Sequence, residues 1–573
     1  MKLFFLFLLI PGSVVHASAL DRQAFTFTKY DLDVRVEPEQ QRLGVRGRVT
    51  LRNDSSSPQK DLALQISSTL DWKAIQLEGK PLEFTSHIYT SDIDHSGVLS
   101  EAVVILPHEV PPKSTVELDV GYEGVIPLDA TRLTRIGVPE DKAKHSDWDQ
   151  ISKAFTAVRG IGYVIWYPVA TEAANLSEGN SVEETVARWK TRQVDTTMQA
   201  RFESSANNPI LFSGNPSMVQ VREARSIDDR PVEARSAKAD SAFSMVRLGV
   251  SVPTFVIANY QKLAAKDSVT IQYLPGQEEA AKDYAEIAAQ IDPIVPVSHG
   301  SEGLQILGLP DADALPFVTE GMLLTPLALP MTNEAELNMV YAKARDLASS
   351  PRAWIQEGLA HYAQAEFIET QHGRQAALDY LKAHESLLVE AEKRTLASGE
   401  PTATNSLINA PDDLYLQTKA MYVWRMLKDM LGNSFADAMV NYRADEDTDA
   451  AYLQRIVEKS THRDLEWFFG DWVYRDRGLP DFRVDSVYPR PMVDGGFMVT
   501  VTIENLGGAG AEVPVTLRIV SGAITKRLEV RGKSKASVRM EAGSTPLEVV
   551  VNDGSVPESD MSNNTYKIES MNH

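Results

Sequence analysis

Pro351-Arg-Ala-Trp354-Ile-Gln-Glu357-Gly358-Leu-Ala-His361-Tyr362 is the stretch on which the fold reading turns. Its apolar residues recur at helical spacing, and the run starts just after a proline, so it predicts a helix. On that helix Glu357 and His361 stand at i and i+4, on one face. Such a pair is a polar surface contact or half of a metal site, and a metal site needs more ligands. No histidine occurs between His299 and His361.

Upstream, the apolar period is two. Tyr30-Asp-Leu-Asp-Val-Arg-Val36, Leu43-Gly-Val-Arg-Gly-Arg-Val-Thr-Leu51, Ala102-Val-Val-Ile-Leu106 and Ser114-Thr-Val-Glu-Leu-Asp-Val-Gly-Tyr122 alternate, separated by Pro, Asn, Asp and Ser clusters. This predicts an antiparallel β-sandwich over residues 20–274, with 268–273 as its last strand and 225–245 as a polar loop or hairpin excursion. At Pro275-Gly276 the period changes. Residues 277–291 read as an amphipathic helix and 304–309 as a short buried strand. Helices then dominate to about residue 476, most clearly at 377–397, 416–431 and 450–459. From Phe482 the period returns to two, which predicts a small immunoglobulin-like sandwich over residues 480–573. The expected class is multidomain α+β.

Bulk properties narrow the function. A chain of 573 residues exceeds one ordinary core. A formal charge of −22 opposes binding to nucleic acid or an anionic membrane. Lys2, the apolar run from Leu3 to Ile10, and Ala17-Ser18-Ala19 have the anatomy of a secretory signal over residues 1–19, cleaved near Ala19. That run is too short to span a bilayer, and no other apolar stretch is long enough. The expected location is periplasmic or secreted. With no cysteine, a large core rather than disulfides must hold the fold.

Several segments converge on one family. Trp354-Ile-Gln-Glu357-Gly358-Leu-Ala-His-Tyr362 resembles the W-x-x-E-G-x-A-x-Y segment of the gluzincin (thermolysin-like) zinc aminopeptidases, the aminopeptidase N family. Leu416-Gln-Thr-Lys419-Ala420-Met-Tyr-Val-Trp-Arg-Met-Leu427 is similar to that family's Y-x-K-G-A-x-x-L-x-M-L helix, and Asp464-Leu-Glu-Trp-Phe-Phe-Gly-Asp-Trp472 to its D-L-x-x-F-F-x-x-W segment. Pro316-Phe-Val-Thr-Glu320-Gly321 stands where the family has GAMEN. The resemblance implies a β-sandwich, an α/β peptidase-type domain with a helical bundle over residues 275–479, and recognition of peptide or protein N-termini by Glu320, with Gly321 in place of the family's asparagine.

The resemblance also implies zinc held by two histidines of HExxH and a distal glutamate, with the motif's own glutamate as general base. Here Glu357 stands at the distal ligand position. Val340-Tyr341-Ala-Lys-Ala-Arg345-Asp-Leu347 gives the best local fit to the missing motif. Tyr341 and Arg345 then take the histidine positions, and Ala342 the base position. Gln417 stands where the family has its catalytic tyrosine. A carboxylate buried in a pocket made for zinc must be paired, so Arg345 is expected to replace the metal's charge at Glu357. His108-Glu-Val-Pro-Pro112 and His384-Glu-Ser-Leu-Leu388 lack a second histidine and read as surface residues.

Residues 551–564 resemble the closing turn of CARDB-like adhesion domains, where Asp553, Glu558 and Asp560 offer calcium ligands or a solvated acidic turn. Three functions remain open. One is a peptidase-fold protein that binds peptide ends without zinc hydrolysis and needs no cofactor. Another is a metallopeptidase whose unusual zinc site uses Glu357 and His361. The third is an adhesion or scaffold protein working through its sandwiches.

Overall fold

The computed structural model describes residues 20–89, 98–169, 195–205, 208–217, 241–245, 248, 252–265, 269–291, 303–348, 350–398, 406–409, 413–493 and 495–568. Residues 1–19, read as a secretory signal, His299 and most of the polar stretch 225–245 lie outside these. Ser241–Met245, at the end of that stretch, is a strand paired antiparallel with Thr197–Ser204 and Asn215–Pro216, which fits the hairpin alternative.

The first unit is built of alternating strands whose apolar sides face inward. Its largest sheet pairs Phe25–Glu37 with Arg42–Asn53 and carries Thr115–Val125 and Leu70–Leu77 beyond. Tyr30, Leu32, Val34 and Val36 point at two smaller sheets and are fully or almost fully buried, while Asp31, Asp33 and Arg35 face outward. The antiparallel expectation holds for most pairs but fails in the middle: Phe25–Glu37 runs parallel to Thr197–Ser204. A long connection separates those strands in sequence, which is what parallel pairing requires.

Thr270–Tyr273, expected to close this sandwich, pairs in parallel with Gln305–Leu309 instead. It belongs to a second, mixed sheet of five strands that begins at Gln261 and includes Met322–Pro326 and Phe317–Thr319. Its strand Gln305–Leu309 is buried on both faces, hence its unbroken apolar reading.

Short helices α1 (Thr131–Arg135) and α2 (Glu140–Ser146) follow Thr115–Val125 in the first unit, and the end of α2 touches the second, where Leu315 N donates to His145 O at 2.9 Å. The helical part comprises α3 (Glu278–Gln290), α4 (Asn333–Leu347), α5 (Ala353–His372), α6 (Arg374–Ser398), α7 (Asp413–Leu431), α8 (Ser434–Val440) and α9 (Tyr452–Thr461). Thr332 starts α4 by accepting the Ala335 amide at 3.1 Å. The buried ammonium of Lys343 closes the end of α3, at 2.6 Å from Ile291 O and 3.1 Å from Ala288 O. Helix α5 lies against both α4 and α7. Gly358 makes the α5–α7 approach possible: a Cβ there would sit 2.5 Å from the Ala420 Cβ and 2.7 Å from Trp424. Trp354 and Trp424 stack beside it with centroids 5.6 Å apart.

The last unit is a sandwich of a three-stranded and a four-stranded sheet. Val499, Val501 and Ile503 of one sheet meet Val515, Leu517 and Val549 of the other, all fully buried. It is fastened to the helices: Trp472 Nε1 donates to Gly510 O at 2.7 Å, and Arg374 binds Asp553 at 2.9 Å and Asp429 at 3.2 Å. Among the described residues, no helix is long and apolar enough to cross a membrane.

Candidate functional site

Helices α4 and α5 run side by side, and their facing polar residues meet at Glu357. Arg345 Nε donates to Glu357 Oε1 at 2.9 Å, and the Tyr341 hydroxyl donates to Glu357 Oε2. Tyr341 and Arg345 are one helical turn apart on α4, so both reach the same carboxylate. The Arg345 side chain is 8% exposed and that of Glu357 15%. Burial pushes the Glu357 carboxyl up, but the Arg345 charge and the Tyr341 hydrogen bond outweigh it and hold the group below its ordinary value. For Arg345, burial favours loss of the proton, yet Glu357, Tyr341 and Glu320 together drive its pKa well above normal. The pair is ionised and desolvated.

Around this trio lie the other singled-out residues. The Tyr341 ring packs at 4.9 Å from the His361 ring. His361 Nδ1 contacts Gln364 Oε1 at 3.0 Å, and Gln417 from α7 hydrogen-bonds the same imidazole. Burial lowers the His361 pKa, only partly offset by Glu357, so the ring is neutral at neutral pH. Gln364 also donates to Leu337 O at 3.0 Å and accepts from Tyr380 OH at 3.0 Å, pinning α5 to α4 and α6. Glu320 occupies the turn between Phe317–Thr319 and Met322–Pro326; its charge acts on Arg345. Gly321 has φ 64°, the left-handed conformation that lets Thr319 pair with Met322 across a two-residue turn. Ala342 is buried and carries no chemistry.

Two residues escaped the sequence reading. Gln364 had no motif to mark it. His384, read as a surface residue, is half-buried beside Tyr380, with ring centroids 4.7 Å apart, and its charge helps to lower the His361 pKa. Their place in the site depends on how α5 and α6 pack, which local sequence does not state.

The residues present do not fit zinc. Both Glu357 oxygens are engaged, a guanidinium fills the space beside them, and the imidazole of His361 is tied to Gln364 and Gln417. A bound dication would stand against a buried cation. Among the described residues, the one trio of His, Asp or Glu whose ligand atoms lie within 4.8 Å of one another is His145, Asp311 and Asp313, far along the chain from Glu357. Asp553, Glu558 and Asp560 do not gather either: Asp553 pairs with Arg374, Glu558 is buried against Asn564, and Asp560 caps Ser562.

Comparison with known proteins bears on the fold.

Its fold is similar to that of a solved aminopeptidase.

Aminopeptidase A of Legionella pneumophila, solved in complex with aspartic acid, matches over 95% of this chain with a TM-score of 0.57 at 13% identity. The match covers 60% of the Legionella chain, so this protein spans less than two thirds of that relative's length. An M1 zinc metallopeptidase from Deinococcus radiodurans matches over 79% of this chain and 95% of its own, at 13% identity and a TM-score of 0.45. No family model matches the sequence. No curated protein matches it.

Proposed function

We propose that this aminopeptidase-fold protein is a peptide-end binder that does not perform zinc hydrolysis. The observation that carries the reading is the Arg345–Glu357 ion pair: a fixed guanidinium takes the place a dication would need, and Tyr341 closes the remaining carboxylate oxygen. Water activation in this fold would need a metal and a base. Ala342, at the family's base position, offers no proton acceptor, and the amide of Gln417 is a weaker, uncharged replacement for a tyrosine.

The electrostatics support binding of an N-terminal ammonium. Arg345 supplies one positive charge against the two negative charges of Glu357 and Glu320, leaving the pocket net negative with a neutral His361. Glu320, on its hairpin turn, is the group proposed to meet the ammonium. The leader-like N-terminus supports action in the periplasm or outside the cell.

The test uses purified mature protein and short fluorescent peptides with free or acetylated N-termini. Free peptides are expected to bind and acetylated ones to lose at least about tenfold in affinity, with E320A equalising the two; losing one charge-assisted hydrogen bond accounts for that much. Aminoacyl-p-nitroanilides are expected to stay intact with or without chelator. Chelator-sensitive turnover, abolished by E357A, would sink the proposal.

A further inference from the structure

We propose that His145 and Asp313, with Asp311 as positioning residue, form a site for a divalent transition-metal ion at the seam between the first unit and the five-stranded sheet. The ring of His145, near the end of α2, lies between two carboxylates of the loop after Gln305–Leu309. Its Nδ1 is 2.6 Å from Asp311 Oδ2, and its Nε2 is 3.9 Å from Asp313 Oδ2.

The two distances assign different roles. A carboxylate only accepts, so Asp311 takes the Nδ1–H, which leaves Nε2 as the ring's ligand atom. Metal–nitrogen and metal–oxygen bonds of ~2.0–2.2 Å place two donors of one tetrahedral ion about 3.3–3.6 Å apart. The 3.9 Å gap is wider than that by a few tenths of an ångström, which rotation of the exposed Asp313 side chain closes, whereas the 2.6 Å contact is a hydrogen bond. Carboxylate, imidazole and ion then stand in the order in which an outer carboxylate orients a metal-binding histidine. An imidazole donor selects the zinc, nickel and cobalt class over calcium or magnesium.

The seam holds these groups in place without the ion. His145 O accepts from Leu315 N at 2.9 Å, Trp148 Nε1 donates to Leu315 O at 3.0 Å, and the Asp313 amide donates to Asp311 Oδ1 at 3.0 Å. His145 and Asp311 also stand in the wall of a cavity of about 330 Å³ whose apolar side includes Trp148, Phe155 and Leu309. Asp313 lies outside that wall and is largely exposed, so an ion between it and the ring draws its remaining waters from solvent. Loaded, the site would pin α2 to the sheet that carries Glu320 on a neighbouring loop.

The test is calorimetric titration of chelator-stripped mature protein with zinc chloride, and with cobalt chloride followed by visible absorption. One ion per chain is expected, with a raised melting temperature on loading. H145Q and D313N should each lose at least about tenfold in affinity, and D311N about tenfold through misorientation of the ring. D313N alters an exposed side chain and guards against misfolding of H145Q. Absence of binding, or binding that survives both H145Q and D313N, overturns this site.

Discussion

Arg345 holds Glu357 across the α4–α5 interface at 2.9 Å, with both side chains nearly out of solvent. A buried ion pair contributes little net stability when whole but is costly to break, because the survivor is left charged and unpaired. R345M is therefore expected to destabilise the protein by about 3–5 kcal/mol, and E357L by a similar amount. An R345M/E357L double substitution should recover most of that loss. Urea unfolding of the four proteins measures the coupling; additive losses would mean the two side chains do not act as a unit.

The same geometry makes a gain of metal binding testable. Tyr341 and Arg345 both reach Glu357 from one face of α4. Histidines at these two positions would bring two imidazoles and a carboxylate together, which is the ligand set of an open zinc site. In an H145Q background, which removes the seam site, Y341H/R345H is expected to take up one zinc per chain, and neither single substitution to do so. Metal analysis after dialysis reads the result. Failure of the double variant to bind would show that Tyr341 and Arg345 are not at the family's histidine positions.

Much of this site was legible from the chain. Glu357 was marked by its helix, and Arg345 by a charge requirement: a carboxylate in a buried position needs a partner, and α4 offers one at the right spacing. The period-two runs around Tyr30 and Val501 were equally plain, because one face of each strand is buried. Other features depend on contacts far apart in sequence. The parallel pairing of Leu32 with Ala200 leaves no local trace. Thr270–Tyr273 has the pattern of any strand, and its neighbour Gln305–Leu309 decides its sheet. His384 reached the site only because Gln364 and Tyr380 bind α5 to α6.

Gly358 is required by packing rather than by backbone conformation. A methyl group there would lie 2.5 Å from the Ala420 Cβ, inside contact distance, and against the indole of Trp424. Alanine favours helices over glycine by roughly 1 kcal/mol, so propensity alone predicts stabilisation. Overpacking costs about 1–3 kcal/mol or more and should win. G358A is expected to lower stability and, by pushing α7 outward, to loosen Gln417 from His361. Thermal unfolding reads the first effect and the pKa of His361 by proton NMR the second; a more stable G358A would refute the packing argument.

Glu558 gives the protein a stability that declines toward alkaline pH. Its side chain is 2% exposed, with Oε1 bound by Asn564 and Oε2 without a hydrogen-bond partner. Burial pushes its carboxyl up to about 8, from an unfolded value of about 4.3. Below the unfolded value both states hold the proton, and this group causes no pH dependence. Between the two values only the folded state holds it, so stability falls as pH rises, by up to about 1.4 kcal/mol per unit. E558Q keeps the shape and removes the titration. Its stability relative to wild type is expected to rise steadily from pH 5 to pH 8 in paired urea titrations, by at least about 1 kcal/mol overall. A difference that stays constant across that window would mean the carboxyl is already ionised in the folded protein.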